Sequence, residues 1–71
     1  MNLYIKVGSV TNAQRGVAAL RQKGYKPYIK RIDNPQPEDG CGYALLVKSD
    51  SEMPLTVLRN AGLKIIGVEL R

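Results

Sequence analysis

The chain contains no histidine, no tryptophan and no phenylalanine, and it has a single cysteine, Cys41. Without histidine there is no imidazole base for a serine or cysteine nucleophile. One cysteine cannot build a zinc or iron–sulfur site within one chain. The glycines match neither a phosphate-binding loop nor a dinucleotide fingerprint. These absences predict that the chain is not a self-contained enzyme and holds no metal or cofactor.

Long apolar runs are also lacking, because none approaches the roughly 20 residues of a membrane span. The N-terminus, residues 1–6, has no basic segment followed by the apolar stretch of a signal peptide. A single cysteine cannot form the internal disulfides on which small secreted domains usually depend. We therefore expect a cytoplasmic protein that does not enter a membrane.

What is present suits one small soluble domain spanning residues 1–71, since 44% of the residues are hydrophobic and 24% are charged. Eleven Lys and Arg residues against six Asp and Glu give a net charge of +5, which favours anionic partners. The basic residues are dispersed, apart from the pair Lys30-Arg31. A dispersed excess of this kind also serves solubility, so both interpretations stay open.

Two stretches of the chain repeat one pattern. Residues 20–26 and 58–64 both read Leu-Arg-x-x-Gly-apolar-Lys, which is typical of a helix end with glycine in the left-handed position. Upstream, residues 7–9 and 47–49 each close an apolar run just before a helix. The chain is therefore predicted to contain two copies of a strand–helix–strand unit.

Strands are predicted over Leu3 to Val7, through Tyr28, Ile29 and Ile32, over Tyr43 to Val47, and over Ile65 to Leu70. Thr11 with Gln14 forms a capping-box pattern for the first helix, and Asp50 or Ser51 is expected to cap the second. Pro54 is tolerated in a first helical turn.

The order β-α-β-β-α-β with right-handed crossovers predicts a ferredoxin-like α+β fold. Its four-stranded antiparallel sheet has the strand order 4-1-3-2, and both helices cover one face. The other face is left open to solvent or to a partner.

Cys41 lies between Gly40 and Gly42, and these glycines leave the sulfur approachable from either side. The preceding Glu38 and Asp39 would disfavour a thiolate. The alternative interpretation is that Cys41 fills a small gap at the strand entry, since free cysteines are commonly buried and inert.

Lys30 and Arg31 end the strand that pairs with the third strand, and their positive charges would stabilise a thiolate at Cys41. The sequence alone leaves open whether these cations or the acidic residues lie nearer to the sulfur.

The Val7-Gly8-Ser9 helix start, the basic second strand and above all Gly40-Cys41-Gly42-Tyr43 before an apolar strand resemble a family of small bacterial proteins. That family is described as selenium/sulfur carrier-like and otherwise has no known function, and the likeness covers nearly the whole chain. The resemblance implies that Cys41 holds sulfur or selenium as a persulfide or selenopersulfide, received from a donor protein and delivered to an acceptor. Many members have serines just before the cysteine, where this chain has Asp39-Gly40.

Two binding modules compete with this interpretation. Residues 4–9 and 20–28 also resemble the septal peptidoglycan-binding repeat of bacterial division proteins, whose domains are normally exported. Residues 42–47 partly match an RNA-binding RNP1 strand, and Tyr4 falls where an RNP2 aromatic would lie.

In the RNA interpretation Tyr4, Lys6 and Tyr43 form the binding surface on the open face of the sheet. The edge strands could further join the chain to a second copy or to a larger assembly.

Overall fold

Six secondary-structure elements follow one another as β-α-β-β-α-β in a computed structural model, which describes residues 2–32 and 42–70. Gly40 and Cys41 therefore lie outside the described residues. The elements are β1 (Asn2–Lys6), α1 (Val10–Gln22), β2 (Tyr28–Arg31), β3 (Tyr43–Lys48), α2 (Met53–Asn60) and β4 (Gly67–Leu70).

The strands form one antiparallel sheet in the order β2-β3-β1-β4, which is the predicted 4-1-3-2 order. The two most apolar strands, β1 and β3, occupy the middle and pair with Ile5 opposite Leu45. A central strand is covered on both edges, so it suits residues that are buried, whereas β2 is exposed along its whole length. The topology is ferredoxin-like, as the sequence predicts.

Alternate residues of the central strands build the core. Leu3 and Ile5 of β1 point to the same side as Leu45 of β3, because they belong to one buried cluster and successive strand residues alternate between faces. Both helices contribute to this cluster, so both cover the same face of the sheet. The buried members are Leu3, Ile5, Val7, Ala13, Val17, Leu20, Leu45, Val47, Leu55, Leu58 and Leu63.

The repeated Leu-Arg-x-x-Gly pattern ends both helices in the same way, as predicted. Gly24 and Gly62 have φ angles of +88° and +81°, the left-handed conformation that favours glycine. In each copy the N–H of the apolar residue after glycine donates to the carbonyl of the pattern's leucine, which satisfies an orphan helix carbonyl. The two bonds are Tyr25 N to Leu20 O and Leu63 N to Leu58 O, both 3.1 Å.

The predicted cap at Thr11 is wrong, because α1 begins at Val10 and its N-cap is Ser9, two residues before Thr11. The Ser9 Oγ accepts a hydrogen bond of 3.1 Å from the backbone N–H of Asn12. Asn12 also donates from Nδ2 to the Val7 carbonyl, over 3.2 Å. The left-handed Gly8, at φ +84°, turns the chain shortly after β1. The helix therefore starts early enough that Thr11 lies within it and is not at its N-cap.

The start of α2 follows the prediction in part. Ser51 Oγ accepts from the Met53 N–H at 3.3 Å, and Pro54 lies in the first turn as expected. The N-cap position itself belongs to Glu52, whose side chain makes no capping bond, and Asp50 is not the cap.

Two strands are shorter than predicted, because Ile32 follows β2 and Ile65 and Ile66 precede β4. Ile32 still bonds to the neighbouring chain, since its N–H donates to the Gly42 carbonyl over 2.6 Å. Hydrogen-bonded and non-hydrogen-bonded positions alternate along an antiparallel pair. The backbone groups of Lys30 therefore point toward β3, whereas those of Ile29 and Arg31 point outward.

Proline tests this alternation because it removes the backbone N–H. In Lys30→Pro a bond to β3 is lost, so we expect the free energy of unfolding to fall by about 1–3 kcal/mol more than in Arg31→Pro. Urea unfolding followed by circular dichroism measures the difference. Equal losses in the two variants would contradict the assigned bonding direction.

Candidate functional site

The candidate site is built around Gly42, where the chain enters β3. We call Lys30, Arg31, Ile32, Gly42 and Tyr43 the Gly42 junction. Gly42 is buried, has a φ of +80°, and bonds through its carbonyl to Ile32. The Tyr43 carbonyl accepts a hydrogen bond of 3.1 Å from the N–H of Val7, which follows β1 on the other side of β3. The strand entry is thus held from both sides.

Cys41 precedes this junction directly in the chain but lies outside the described residues. A peptide bond keeps its Cα within about 3.8 Å of the Gly42 Cα. Its exposure and reactivity remain predictions from the sequence, as does the role of Gly40.

Lys30 and Arg31 are both exposed and both belong to the junction. Lys30 pairs with Ala44 and Arg31 with Tyr43. Because neighbouring strand residues point to opposite faces, the two cations flank the junction from opposite sides of the sheet. Arg31 lies on the helix-covered side and Lys30 on the other.

Gly42 has a role beyond the predicted steric access. Its positive φ belongs to the left-handed region, which costs a side-chain-bearing residue free energy. The chain therefore needs glycine at this position, directly before β3. Access and backbone conformation favour the same residue here.

The structure does not bring Tyr4, Lys6 and Tyr43 together as one surface. Tyr43 lies on the face covered by the helices and packs against the core, two residues before the buried Leu45. Tyr4 and Lys6 both lie on the opposite face of the sheet, and Tyr4 is only 5% exposed. The predicted RNP-like surface is corrected accordingly, because the side-chain parity of β3 places its tyrosine inward.

An exposed aromatic that the sequence interpretation overlooked is Tyr28, which is 70% exposed. It lies opposite Leu46 and shares the face of Tyr4 together with Lys30 and Lys48. The signal in the sequence was the alternation Tyr28-Ile29-Lys30, but only the edge position of β2 leaves the ring accessible.

Within residues 2–32 and 42–70, no group of three or more His, Cys, Asp or Glu side chains is placed to hold a metal ion. In the same part of the chain, no helix combines the length and apolar character needed to cross a bilayer.

Comparison with protein-family models, with curated proteins and with solved structures finds no match to the chain.

Replacing Gly42 by alanine tests the backbone role of this glycine. We expect Gly42→Ala to lose about 1–3 kcal/mol of unfolding free energy, because alanine is strained at φ +80°. Gly67→Ala is the matched control, since an added Cβ there would meet only the Lys6 Cδ at 3.5 Å, an ordinary contact. If thermal or urea unfolding shows the two variants equally stable, the conformational requirement at Gly42 is refuted.

Proposed function

We propose that the chain is a non-catalytic carrier that receives sulfur or selenium on Cys41 from a donor enzyme and passes it to an acceptor protein. The supporting observation is the Gly42 junction, which holds the residue after Cys41 through a 2.6 Å bond to Ile32, beside two exposed cations. A fixed anchor of this kind would present the thiol in a repeatable position. A cytoplasmic location, where thiols stay reduced, fits the proposal.

The transfer needs no oxidant. The Cys41 thiolate attacks the outer sulfur of a persulfide on the donor, so a new S–S bond forms as the donor's S–S bond breaks. The donor cysteine leaves as a thiolate, and the transferred sulfur becomes the outer atom of a persulfide on Cys41. An acceptor that attacks this outer atom releases the Cys41 thiolate again.

Positive charge near the sulfur assists this step because the thiolate is the nucleophile and the leaving group. Lys30 and Arg31 lie on opposite sides of the sheet, so the cation on the side of the sulfur would stabilise a Cys41 thiolate more than the other. Both side chains are exposed, which also leaves them accessible to an acidic donor or acceptor surface.

Incubation with a cysteine desulfurase and cysteine should add one sulfur to the wild-type chain, since there is a single acceptor thiol. Intact-mass spectrometry measures the gain, and a thiol reductant should remove it. Cys41→Ser is the control; if it gains as much sulfur as the wild type, the carrier proposal fails. Selenocysteine in place of cysteine provides the corresponding selenium arm, because the donor enzyme then carries a selenopersulfide whose outer selenium the Cys41 thiolate attacks as the donor thiolate leaves.

In the same preparation, the alkylation rate of Cys41 at neutral pH reports the effect of the cations. Lys30→Gln or Arg31→Gln should destabilise the thiolate and slow alkylation, whereas replacing Lys64, an exposed lysine in the segment before β4, by glutamine should not. Unchanged rates in both junction variants would contradict thiolate stabilisation by these residues.

RNA binding on the open sheet face is the second candidate, now supported by Tyr28 rather than by Tyr43. Tyr28, 70% exposed as a residue, lies on the face that also presents Lys30 and Lys48, an arrangement suited to stacking a base beside a phosphate. The buried Tyr4 offers little surface for stacking.

If this face binds single-stranded RNA, affinity should fall steeply with salt and Tyr28→Ala should weaken it by about tenfold, the loss of one stacked base. Fluorescence anisotropy with labelled RNA measures both effects, and Tyr43→Leu serves as the control because Tyr43 lies on the helix-covered face and packs against the core. If the affinity for RNA is unchanged in Tyr28→Ala, this face is not the RNA-binding surface.

A further inference from the structure

A groove of about 420 Å³ lies between α1 and β2. Its lining includes the apolar Val17, Ala18, Pro27 and Ile29 together with Tyr28, and Arg21 adds a positive charge. We call it the β2 groove. It borders β2, whose residues are all exposed, so an extended chain placed along β2 would cover it.

The outer edge of β2 presents backbone groups that a further strand could bond to. As argued from the Ile32–Gly42 bond, the N–H and C=O groups of Ile29 and Arg31 point away from β3. Within the described part of the chain, no strand pairs with this edge. An added strand would thus find two donors and two acceptors in strand geometry.

The positive charges around β2 favour an acidic partner at its outer edge. Besides Arg21 in the groove, β2 carries Lys30 on one face and Arg31 on the other, and Lys26 is exposed just before it. Antiparallel pairing of β2 with β2 of a second copy would bring these like charges together, which is unfavourable. An acidic segment of another protein would meet them with opposite charge.

We propose that the outer edge of β2 binds an extended acidic segment of a partner protein as a fifth, antiparallel strand. Its apolar residues enter the β2 groove beside Ile29, and the alternating acidic residues face Lys30 on the other side of the sheet. The bound strand would run alongside β2 to the Gly42 junction. This docking does not depend on sulfur chemistry at Cys41.

A short capped peptide of alternating valine and glutamate is the probe. A valine that enters the β2 groove would lie opposite Ile29 or Arg31, whose backbone groups point outward. Residues directly opposite each other at such positions exchange hydrogen bonds, so the N–H of this valine would point at β2. Methylation of the valine nitrogens should therefore weaken binding by about tenfold or more, whereas methylation of the glutamate nitrogens should leave it nearly unchanged. Calorimetry measures the affinities, and equal weakening by both patterns would overturn the proposal.

Protein variants complete the test. Lys30→Glu should weaken the valine–glutamate peptide by about tenfold and strengthen the matching valine–lysine peptide, whereas Lys64→Glu should change neither. Arg31→Pro removes an outward N–H and should bind less than Arg31→Gln. Cys41→Ser should bind like the wild type, so failure of sulfur loading and failure of docking are distinguishable.

Three results would overturn the docking proposal. One is affinity that is indifferent to Lys30→Glu. Another is that RNA displaces the peptide, and that Tyr28→Ala weakens peptide binding whereas Arg31→Pro does not. The third is a dimer in sedimentation that Arg31→Pro dissociates, since a second copy would then occupy the edge.

Discussion

The pairing of β1 with β3 is the interaction on which the rest of this structure depends. Leu3, Ile5 and Leu45 are fully buried, and each such side chain contributes about 1.5–3 kcal/mol of hydrophobic free energy. A chain of this size buries little surface in total, so a slip of the register by one residue would turn these side chains away from the helices. The register of the central pair therefore decides the face on which every other strand residue lies.

The functional surfaces follow from that register. Because Leu45 faces the helices, Tyr43 faces them too and is unavailable to a ligand on the open side. Gly42 directs its carbonyl to Ile32, which leaves Arg31 and Ile29 with backbone groups that point outward. The Gly42 junction and the proposed docking edge both include β2, so the two proposals concern neighbouring parts of the sheet. A partner aligned on β2 would lie beside the strand that bonds to the residue after Cys41.

Local signals in the sequence predicted what local geometry decides. The two glycine helix ends, the strand order and the common face of Leu3 and Ile5 were all predicted, because each depends on neighbouring residues or on simple connection rules. The caps were harder, since Ser9 and Thr11 are both good capping residues. The choice between them depends on where β1 ends and Gly8 turns the chain. At the candidate site, the sequence singled out Gly42, Lys30 and Arg31 but grouped Tyr43 with Tyr4.

Composition and pattern by themselves determined that this chain builds an α+β sheet with two helices, has one thiol and lacks an imidazole base, because those properties follow from residue identity and periodicity. Only the tertiary structure decided that Lys30 and Arg31 flank the junction from opposite faces, that Tyr28 is exposed and that Tyr4 is buried. Those outcomes depend on pairing between distant strands and on which strand lies at an edge. Residue type alone carries neither kind of information.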